Sequence, residues 1–264
     1  MTHVPPPRRP PLHWPAAVAS TPMARSRVAP YTSWGGSRSQ VDRAGQNVRE
    51  WFRAPIALAP AINEAFDVVW KFRGEFQRPL TGVVMGLRSF VKSEGAPVVV
   101  AQRLKRLPTI VDKLDRHPHM ELSRMQDIGG CRAILPAGDV QLFSRLRARM
   151  TKQKWDVMEE YDYVTAPKPS GYRGLHVVVM RDSRLVEIQL RTEGQHRWAE
   201  TVERLGSITG YNLKDDQGPE ELLHYLERGA YGTDLQERGL PLPHGFRDEF
   251  NELATLAQPY LVRR

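Results

Sequence analysis

Two segments of the chain concentrate the side chains that nucleotide chemistry requires. The stretch 168–176 is a basic, glycine-containing turn with a tyrosine and a histidine, and the stretch 186–192 alternates apolar residues with polar ones, among them Glu187. A second group lies upstream, at 103–113 and 125–132. Cations bind phosphates, a flat ring stacks on a base, and a carboxylate takes a metal or a proton. Together the two groups predict an ATP-using enzyme of phosphoryl transfer.

Asp127 and Glu187 are the two candidate acids. Asp127 lies just before the apolar stretch 131–135, which reads as a buried strand. Glu187 alternates with Val186 and Ile188, and because strand side chains alternate with a period of two, it lies on the polar face. The pair could hold Mg²⁺, which takes few carboxylates together with phosphate oxygens. Taken singly, Glu187 is equally typical of a solvated or paired strand residue, and Asp127 of a turn cap.

Basic side chains cluster around Thr109, which follows Pro108 at a predicted helix start. A threonine there can donate its hydroxyl and its backbone N–H to a phosphate. Arginine adds a planar fork for phosphate or base contacts, and lysine adds a point charge. The basic residues are Arg103, Lys105, Arg106 and Lys113. Taken alone, such a run is also typical of a solvated helix face.

Tyr172 and His176 are the candidate residues for a base or a phosphate in the downstream segment. Gly171 and Gly174 flank Tyr172 and allow close approach of the backbone to a ligand, so the ring could stack on a nucleobase. It could equally pack on the sheet, and His176 could be a satisfied core histidine. Neither a P-loop nor a GxGxxG motif occurs, so ATP would have to bind through another architecture.

Composition narrows the class of protein. The chain has 264 residues, of which 41% are hydrophobic, a fraction that suffices for a core. Its formal charge of +8 favours acidic partners such as nucleotides or nucleic acid. The single cysteine, Cys131, excludes an intrachain disulfide and predicts a small core residue. No Cys/His metal spacing occurs. No apolar run approaches the roughly 20 residues that span a bilayer, and no signal-peptide pattern occurs, so we expect a cytoplasmic protein without a membrane partner.

Three regions follow from the composition along the chain. Residues 1–36 are expected to be a disordered, basic, proline-rich arm, which could bind phosphate backbones or be dispensable, with Met23 as an alternative start. Residues 37–205 carry the chemistry. Residues 206–264 are expected to be a helical extension, either a packing element or a regulatory segment that covers the ATP site.

The apolar periodicities predict an α+β fold, with a mixed β-sheet flanked by helices. The first predicted helix is capped by Ser39, runs to Phe52 and breaks at Pro55, and the second covers 61–76 and is ended by Pro79 and Gly82. A third predicted helix, 102–114, is interrupted near Pro108. The remaining predicted helices are 140–150, 195–205, 219–228 and, after a break at 229–245, 246–256. The predicted strands are 97–100, 131–135 and 155–165, with a hairpin of 175–180 and 185–190.

The order and spacing of these motifs resemble the synthetase domain of the RelA/SpoT alarmone synthetases over residues 60–205. The matching residues are Arg103, Lys105, Thr109, Lys113, Asp127, Arg132, Tyr163, Lys168, Tyr172, His176, and Glu187 with Gln189 in the Glu-Ile-Gln-Leu-Arg-Thr stretch. The resemblance implies the nucleotidyltransferase-like fold of that family. It also implies a Mg²⁺-dependent pyrophosphokinase that transfers the β,γ-diphosphate of ATP to a ribose 3′-hydroxyl.

The resemblance also implies a role for each residue. Arg103 would stack on the adenine of ATP, Asp127 would bind Mg²⁺, and Glu187 would bind metal and help deprotonate the 3′-hydroxyl. Tyr172 would stack on the acceptor base. The ATP phosphates would be held by Lys105, Thr109, Lys113 and Arg132. The acceptor would be oriented by Lys168, His176 and Gln189.

Departures from the family pattern bear on the acceptor. No His-Asp dipeptide occurs, which implies a small synthetase-only member without the hydrolase half. Guanosine-using members carry a lysine where this chain has Tyr161, which argues against GTP or GDP, and Ser170 replaces the usual asparagine. The stretch 37–45 resembles a toxic, phage-associated branch paired with antitoxins. Some members of that branch modify the 3′-terminal adenosine of tRNA.

Three functions therefore remain open. The favoured one is a toxin that pyrophosphorylates the 3′ end of tRNA and is neutralised by an antitoxin protein. The second is an alarmone synthetase that uses GTP, GDP or an adenosine nucleotide. The third is a catalytically dead relative that binds RNA. Small members of the family also form homo-oligomers.

Overall fold

The computed structural model describes residues 34–54 and 59–261. Its helices are α1 (Arg38–Arg53), α2 (Ala59–Gly74), α3 (Gln77–Ser93), α4 (Leu107–Arg116), α5 (Gln141–Lys152), α6 (Glu193–Thr209), α7 (Glu220–Glu237) and α8 (Phe246–Leu261). Its strands are β1 (Val99–Leu104), β2 (Gly129–Leu135), β3 (Asp156–Asp162), β4 (Leu175–Arg181) and β5 (Arg184–Thr192). Most of the predicted arm 1–36, including Met23, lies outside the described residues.

The five strands form one mixed sheet in the order β1-β2-β5-β4-β3. The β2–β5 pair is parallel, and the β1–β2, β4–β5 and β3–β4 pairs are antiparallel. This arrangement confirms the predicted α+β fold with a mixed sheet flanked by helices.

One face of the sheet packs on α3 and α5. Cys131, Ala133 and Leu135 alternate along β2 and are almost completely buried, together with Ile188 and Leu190 of β5. Burying a Leu or Ile side chain contributes about 1.5–3 kcal/mol, so this apolar layer holds the two central strands in register. The intervening polar residues are thereby directed to the opposite face, and Cys131 is the small core residue that its surroundings predicted.

The N-terminal helices α1 and α2 pack with α4 around a second apolar cluster. Ser37 caps α1, since its hydroxyl accepts from the backbone N–H of Gln40 while the Gln40 side chain accepts from the N–H of Ser37. The prediction of Ser39 as the cap is wrong, because Ser39 lies inside the helix. The helix ends at Arg53, and the predicted break at Pro55 lies outside the described residues.

The helix α3 was missed because Pro79 and Gly82 read as terminators. Pro79 lies in the first turn, where a backbone N–H has no intrahelical acceptor and proline is tolerated. Gly82 lies inside the helix beside the guanidinium of Arg181. Tertiary burial of residues such as Leu80 and Leu87 outweighs the helix-breaking tendency of both.

The predicted helix 102–114 is a strand followed by a helix. Residues 102–104 belong to β1, and α4 begins at Leu107 with Pro108 in its first turn, as the proline rule predicted. The strand β1 at the sheet edge is mostly exposed, so its burial pattern lacks the alternation that marks a half-buried strand.

The β4–β5 hairpin and the helix after it follow the prediction closely. Asp182 and Ser183 occupy the turn with φ of 47° and 60°, the left-handed conformations that a tight two-residue hairpin turn demands. Thr192 then caps α6 through a capping box with Gln195. Helix α6 extends to Thr209 and crosses the expected regional boundary at 205.

The C-terminal extension is more helical than predicted. Helix α7 runs through Gly229 and Gly232 to Glu237, although both glycines read as part of a break. A methyl group at Gly232 would lie 2.7 Å from the ring of Phe246, so the glycine permits close packing of α8 on α7. Helix α8 likewise continues to Leu261, past Pro259. Within residues 34–54 and 59–261, no helix is long and apolar enough to cross a membrane.

Candidate active site

The polar face of the sheet carries the predicted site residues on neighbouring strands. Gly130 of β2 pairs with Arg103 of β1 on one side and with Glu187 of β5 on the other. Two residue pairs further along, Arg132 lies beside Gln189. Because Gly130 has no side chain, the floor between Arg103 and Glu187 is bare backbone. This leaves an open surface flanked by a cation and a carboxylate.

Asp127 lies between two lysines at the edge of this surface. Its Oδ2 accepts from Lys105 Nζ and its Oδ1 from Lys113 Nζ, each at 2.9 Å. Lys105 extends from the loop after β1, and Lys113 lies one turn beyond Thr109 on the same face of α4. The strand end and the helix thus bring two ammonium groups to one carboxylate.

The charges of this cluster are strongly coupled. Burial raises the pKa of Asp127, but the two ammonium groups outweigh burial and hold that pKa below its usual range. Burial lowers the pKa of Lys105, and the attraction of Asp127 opposes this shift. Lys105 is only 6% exposed, so its charge depends on a nearby anion. That anion is Asp127.

Glu187 belongs to a closed ring of hydrogen bonds with four other side chains. Its Oε1 accepts from His176 Nδ1 at 2.9 Å, and its Oε2 from Gln189 Nε2 at 2.8 Å. Gln189 Oε1 accepts from Arg191 Nη2 at 2.8 Å. Arg191 Nε donates to the Tyr172 hydroxyl at 3.0 Å, and that hydroxyl lies 2.5 Å from His176 Nε2.

The ring determines the tautomer of His176. The Glu187 carboxylate can only accept, so His176 Nδ1 carries a proton. When the imidazole is neutral, Nε2 accepts from the Tyr172 hydroxyl, and each of the five hydrogen bonds of the ring has one donor and one acceptor. Burial raises the pKa of Glu187, but the hydrogen bond and the electrostatic attraction of His176, together with the hydrogen bond from Gln189, outweigh burial, and the pKa lies below its usual range. Glu187 is therefore ionised at neutral pH.

An aromatic wall stands beside Glu187. The rings of Tyr163, Tyr172 and His176 meet edge to face at centroid distances of 5.4–5.7 Å. Lys168 Nζ lies 5.3 Å from the Tyr163 ring and 5.9 Å from the Tyr172 ring. The structure thus brings together the aromatic and basic residues predicted for the acceptor.

Arg132 and Arg191 form a cationic corner where β2 and β5 approach α6. Arg132 Nε and Arg191 Nη1 are buried without a hydrogen-bond acceptor in the described part of the chain. Burial and the neighbouring Arg191 lower the pKa of Arg132. Burial likewise lowers the pKa of His196, whose Nδ1 lies 3.4 Å from Arg132 Nη1. Two guanidinium groups, each with a buried donor that has no acceptor in the described part of the chain, are suited to an anion.

Sequence reasoning missed Arg191 and His196. Arg191 follows Glu187 and Gln189 at the same period of two, so the alternation that placed the other two side chains also predicted its face. His196 carried no comparable signal. Arg103 and Thr109 are exposed and stay outside the hydrogen-bond networks of the described residues.

Two carboxylates of the site, Asp127 and Glu187, could hold a metal. The described residues contain no group of three or more His, Cys, Asp or Glu side chains able to hold a metal. Asp127 and Glu187 interact electrostatically, since the negative charge of Asp127 makes a minor contribution that raises the pKa of Glu187. Two carboxylates without soft ligands fit Mg²⁺, a hard cation that completes its shell with water and substrate phosphates.

Comparison with known proteins places these residues in a family. Residues 102–205 match the family described as the region found in RelA / SpoT proteins. The GTP pyrophosphokinase YjbM of Bacillus subtilis is 32% identical over 159 residues, which cover 55% of this chain and 72% of that protein. The chain belongs to the RelA/SpoT family. An uncharacterised protein of Mycobacterium tuberculosis is 29% identical over 76% of this chain and 68% of its own length.

Solved structures of this family share the fold. The small alarmone synthetase 1 of Bacillus subtilis bound to its product pppGpp superposes with a TM-score of 0.51 and 25% identity, over 71% of this chain and 99% of that one. The predicted membership of the RelA/SpoT family and the synthetase fold are confirmed. So is the predicted enzyme class, a pyrophosphotransferase.

Proposed function

We propose that this RelA/SpoT protein transfers the β,γ-diphosphate of ATP to the 3′-hydroxyl of the terminal adenosine of tRNA. In this reaction the ribose oxygen forms a bond to the β-phosphorus, the bond to the α-phosphate oxygen breaks, and AMP leaves. Such a reaction depends on positioning and charge neutralisation, which fits a site built from buried cations and two carboxylates.

The ATP half of the proposed site is the surface from Arg103 to Thr109 and the cationic corner. Arg103 is exposed beside the bare backbone of Gly130, where its guanidinium can stack on adenine. Lys105, Lys113 and Thr109 would hold phosphates, as would Arg132 through its unpaired donor. The lysines now paired with Asp127 would then exchange that carboxylate for phosphate oxygens.

Mg²⁺ would be held by Asp127 and Glu187 together with phosphate oxygens. Once bound, it supplies charge neutralisation at the transferred diphosphate. Release of Asp127 from the two lysines by ATP frees its oxygens for this role. Glu187 remains ionised at neutral pH and accepts the proton of the 3′-hydroxyl, while His176 holds its carboxylate in place through Nδ1–H.

The acceptor half is the aromatic wall. Tyr172 would stack on the acceptor base, with Lys168, His176 and Gln189 orienting the nucleotide. The Lys168 ammonium over the tyrosine rings offers the positive charge that a phosphodiester requires.

The observation that carries the choice of acceptor is the pair Tyr161 and Glu159. Tyr161 stacks parallel to Tyr163, and its hydroxyl donates to the Glu159 carboxylate. That hydrogen bond lowers the pKa of Glu159, so the carboxylate is charged. The polyphosphate of GTP would therefore meet the Glu159 carboxylate beside Tyr161, the position at which guanosine-using relatives carry a lysine. The terminal nucleoside of an RNA carries only a phosphodiester charge.

Such a reaction would make the protein a translation-blocking toxin. The 3′-terminal ribose of tRNA is the site of aminoacylation, so a diphosphate there prevents charging. An antitoxin protein would be needed to protect the cell that makes the enzyme. The formal charge of +8 is consistent with an RNA substrate.

A second candidate is an alarmone synthetase that uses GTP, GDP or an adenosine nucleotide. Similarity to YjbM, named a GTP pyrophosphokinase, supports it. The two candidates share the ATP half and the chemistry and differ in the acceptor.

One labelling experiment separates them. Purified protein, Mg²⁺ and γ-³²P-ATP are incubated with tRNA, with tRNA ending in 3′-deoxyadenosine, or with GTP, GDP or AMP. We expect label on intact tRNA and none on the 3′-deoxy form, which keeps the base and lacks the acceptor oxygen. Label in a small nucleotide alone would replace the tRNA proposal with the alarmone synthetase. Label in no acceptor would contradict both.

The variant Tyr161→Lys provides a matched test of the acceptor argument. It places an ammonium beside Glu159 at an exposed position and leaves the rest of the wall unchanged. We expect it to increase labelling of GTP relative to tRNA. Unchanged acceptor preference would show that Tyr161 does not determine it.

A further inference from the structure

The acceptor loop, residues 168–174, is held in place by residues that follow the region matched by the family. The family match ends at residue 205, whereas the loop contacts the segment between α6 and α7 and α7 itself. Asp216 Oδ1 accepts from the backbone N–H of Ser170 at 2.8 Å. Ser170 is completely buried, so this N–H has no access to water and depends on the carboxylate.

Helix α7 supports the same loop by direct packing. Gly171 has a φ of +80°, and a methyl group there would lie 2.6 Å from Cβ of Ala230 and 2.8 Å from Cα of Glu227. The loop backbone therefore rests on the helix surface. Trp198 extends the support to Tyr172, since its ring lies 6.2 Å from the tyrosine and its Nε1 donates to the Leu226 carbonyl at 3.0 Å.

The segment that carries Asp216 is itself anchored on the ATP side. Asp215 forms an ion pair with Arg116 at the end of α4, the helix that bears Thr109 and Lys113. Leu213 is 1% exposed and belongs to the apolar cluster of the extension. One short turn thus joins the lysine-bearing helix to the acceptor loop.

We propose that Asp216 is a positioning residue for the acceptor: its carboxylate fixes Ser170 and thereby the placement of Lys168 and Tyr172. This inference rests on the proposed acceptor role of those two residues. It gives the 206–264 extension a part in substrate binding, because the loop that binds the acceptor is tied to the extension at Ser170 and Gly171.

The backbone of Asp216 allows a clean test. Its φ of 56° and ψ of 28° are left-handed, a conformation that glycine and asparagine tolerate best. Asp216→Gly removes the acceptor oxygen and keeps the turn. Asp216→Asn keeps an acceptor oxygen and removes only the charge. Glu252→Gln, at an exposed carboxylate of α8, is the control.

The full chain of each variant is assayed for the KM of ATP and the KM of the acceptor that the wild type labels, and for hydrogen exchange of peptide 168–174. For Asp216→Gly we expect an acceptor KM about tenfold higher, the effect of one lost hydrogen bond, with the KM of ATP unchanged and faster exchange. Asp216→Asn and Glu252→Gln should resemble the wild type in all three measurements.

Two results would overturn the inference. One is a wild-type acceptor KM in Asp216→Gly, with or without faster exchange. The other is an equal loss in Asp216→Asn, which would assign the effect to charge. A wild type that labels no acceptor contradicts the proposed function instead, and the exchange rates then still report whether Asp216 holds the loop.

Discussion

Replacing Glu187 by glutamine should abolish activity and leave the fold nearly intact. The carboxylate accepts from His176 Nδ1 and from Gln189 Nε2. A glutamine at position 187 has one oxygen, which can accept one of these two hydrogen bonds, and one NH₂ group, which can only donate toward the other partner. If the oxygen continues to accept from Gln189 Nε2, the NH₂ group faces His176 Nδ1, which must then lose its proton and act as the acceptor.

The imidazole can make this change by moving its proton to Nε2. Nε2–H then donates to the Tyr172 hydroxyl, which already accepts from Arg191. A hydroxyl oxygen can accept both, so the only lost bond is the one that the Tyr172 hydroxyl donated. One unsatisfied buried donor costs about 1–3 kcal/mol, so the free energy of unfolding should fall by no more than that.

The effect on turnover should be larger. The variant loses the negative charge that would bind metal and accept the proton, and losing one such electrostatic contact costs about 10²-fold or more in kcat. Turnover is measured by transfer of label from γ-³²P-ATP, and stability by urea unfolding, with Glu252→Gln as control. The ¹⁵N shifts of His176 report the tautomer.

A folded Glu187→Gln variant with turnover within about threefold of the wild type would refute the catalytic role. A histidine that stays protonated at Nδ1 in the variant would show that the new side-chain oxygen faces His176 and not Gln189, and would refute the expected tautomer change, whatever the turnover. The two readouts are independent, since turnover tests the chemistry and the tautomer tests the hydrogen-bond geometry.

Two further predictions concern titratable groups. The pKa values of Asp127 and Glu187 are lowered in the folded protein, so their ionised forms stabilise it at pH values above the unfolded-state pKa, and this stabilisation is lost as the pH falls through the folded-state pKa. The midpoint urea concentration of unfolding should therefore decrease below about pH 4.5, and it should decrease less steeply in Glu187→Gln. An equal pH dependence in the variant and the wild type would contradict this. Burial, with the charge of Glu187, raises the pKa of Cys131 to about 12. An aromatic disulfide reagent at pH 8 should therefore modify the thiol only after the protein unfolds. Rapid stoichiometric modification of the native protein would contradict the burial of Cys131.

Much of the fold could be read from local patterns. The strand β2 was predicted from its apolar run. The β4–β5 hairpin was predicted because residues along β5 alternate between an apolar and a polar face and the turn offers residues suited to left-handed backbone. Helix α3 and the second half of α7 could not be read in this way. Proline in a first turn, and glycine beneath a phenylalanine ring, are compatible with helix only when the packing partner is known.

The residue types of the site were also readable, because motif order and spacing need no coordinates. Asp127, Glu187, Tyr172 and Lys168 were placed in two groups by their chemistry and by strand alternation alone.

Contacts between distant segments required the tertiary structure. The sequence separations are 22 residues from Lys105 to Asp127 and 46 from Ser170 to Asp216, and no local pattern specifies which donor meets which acceptor across such distances. Chemistry and periodicity are properties of neighbouring residues, so the chain alone carried them. Pairing of buried charges and support of the acceptor loop depend on how the elements pack, so only the folded protein decided them.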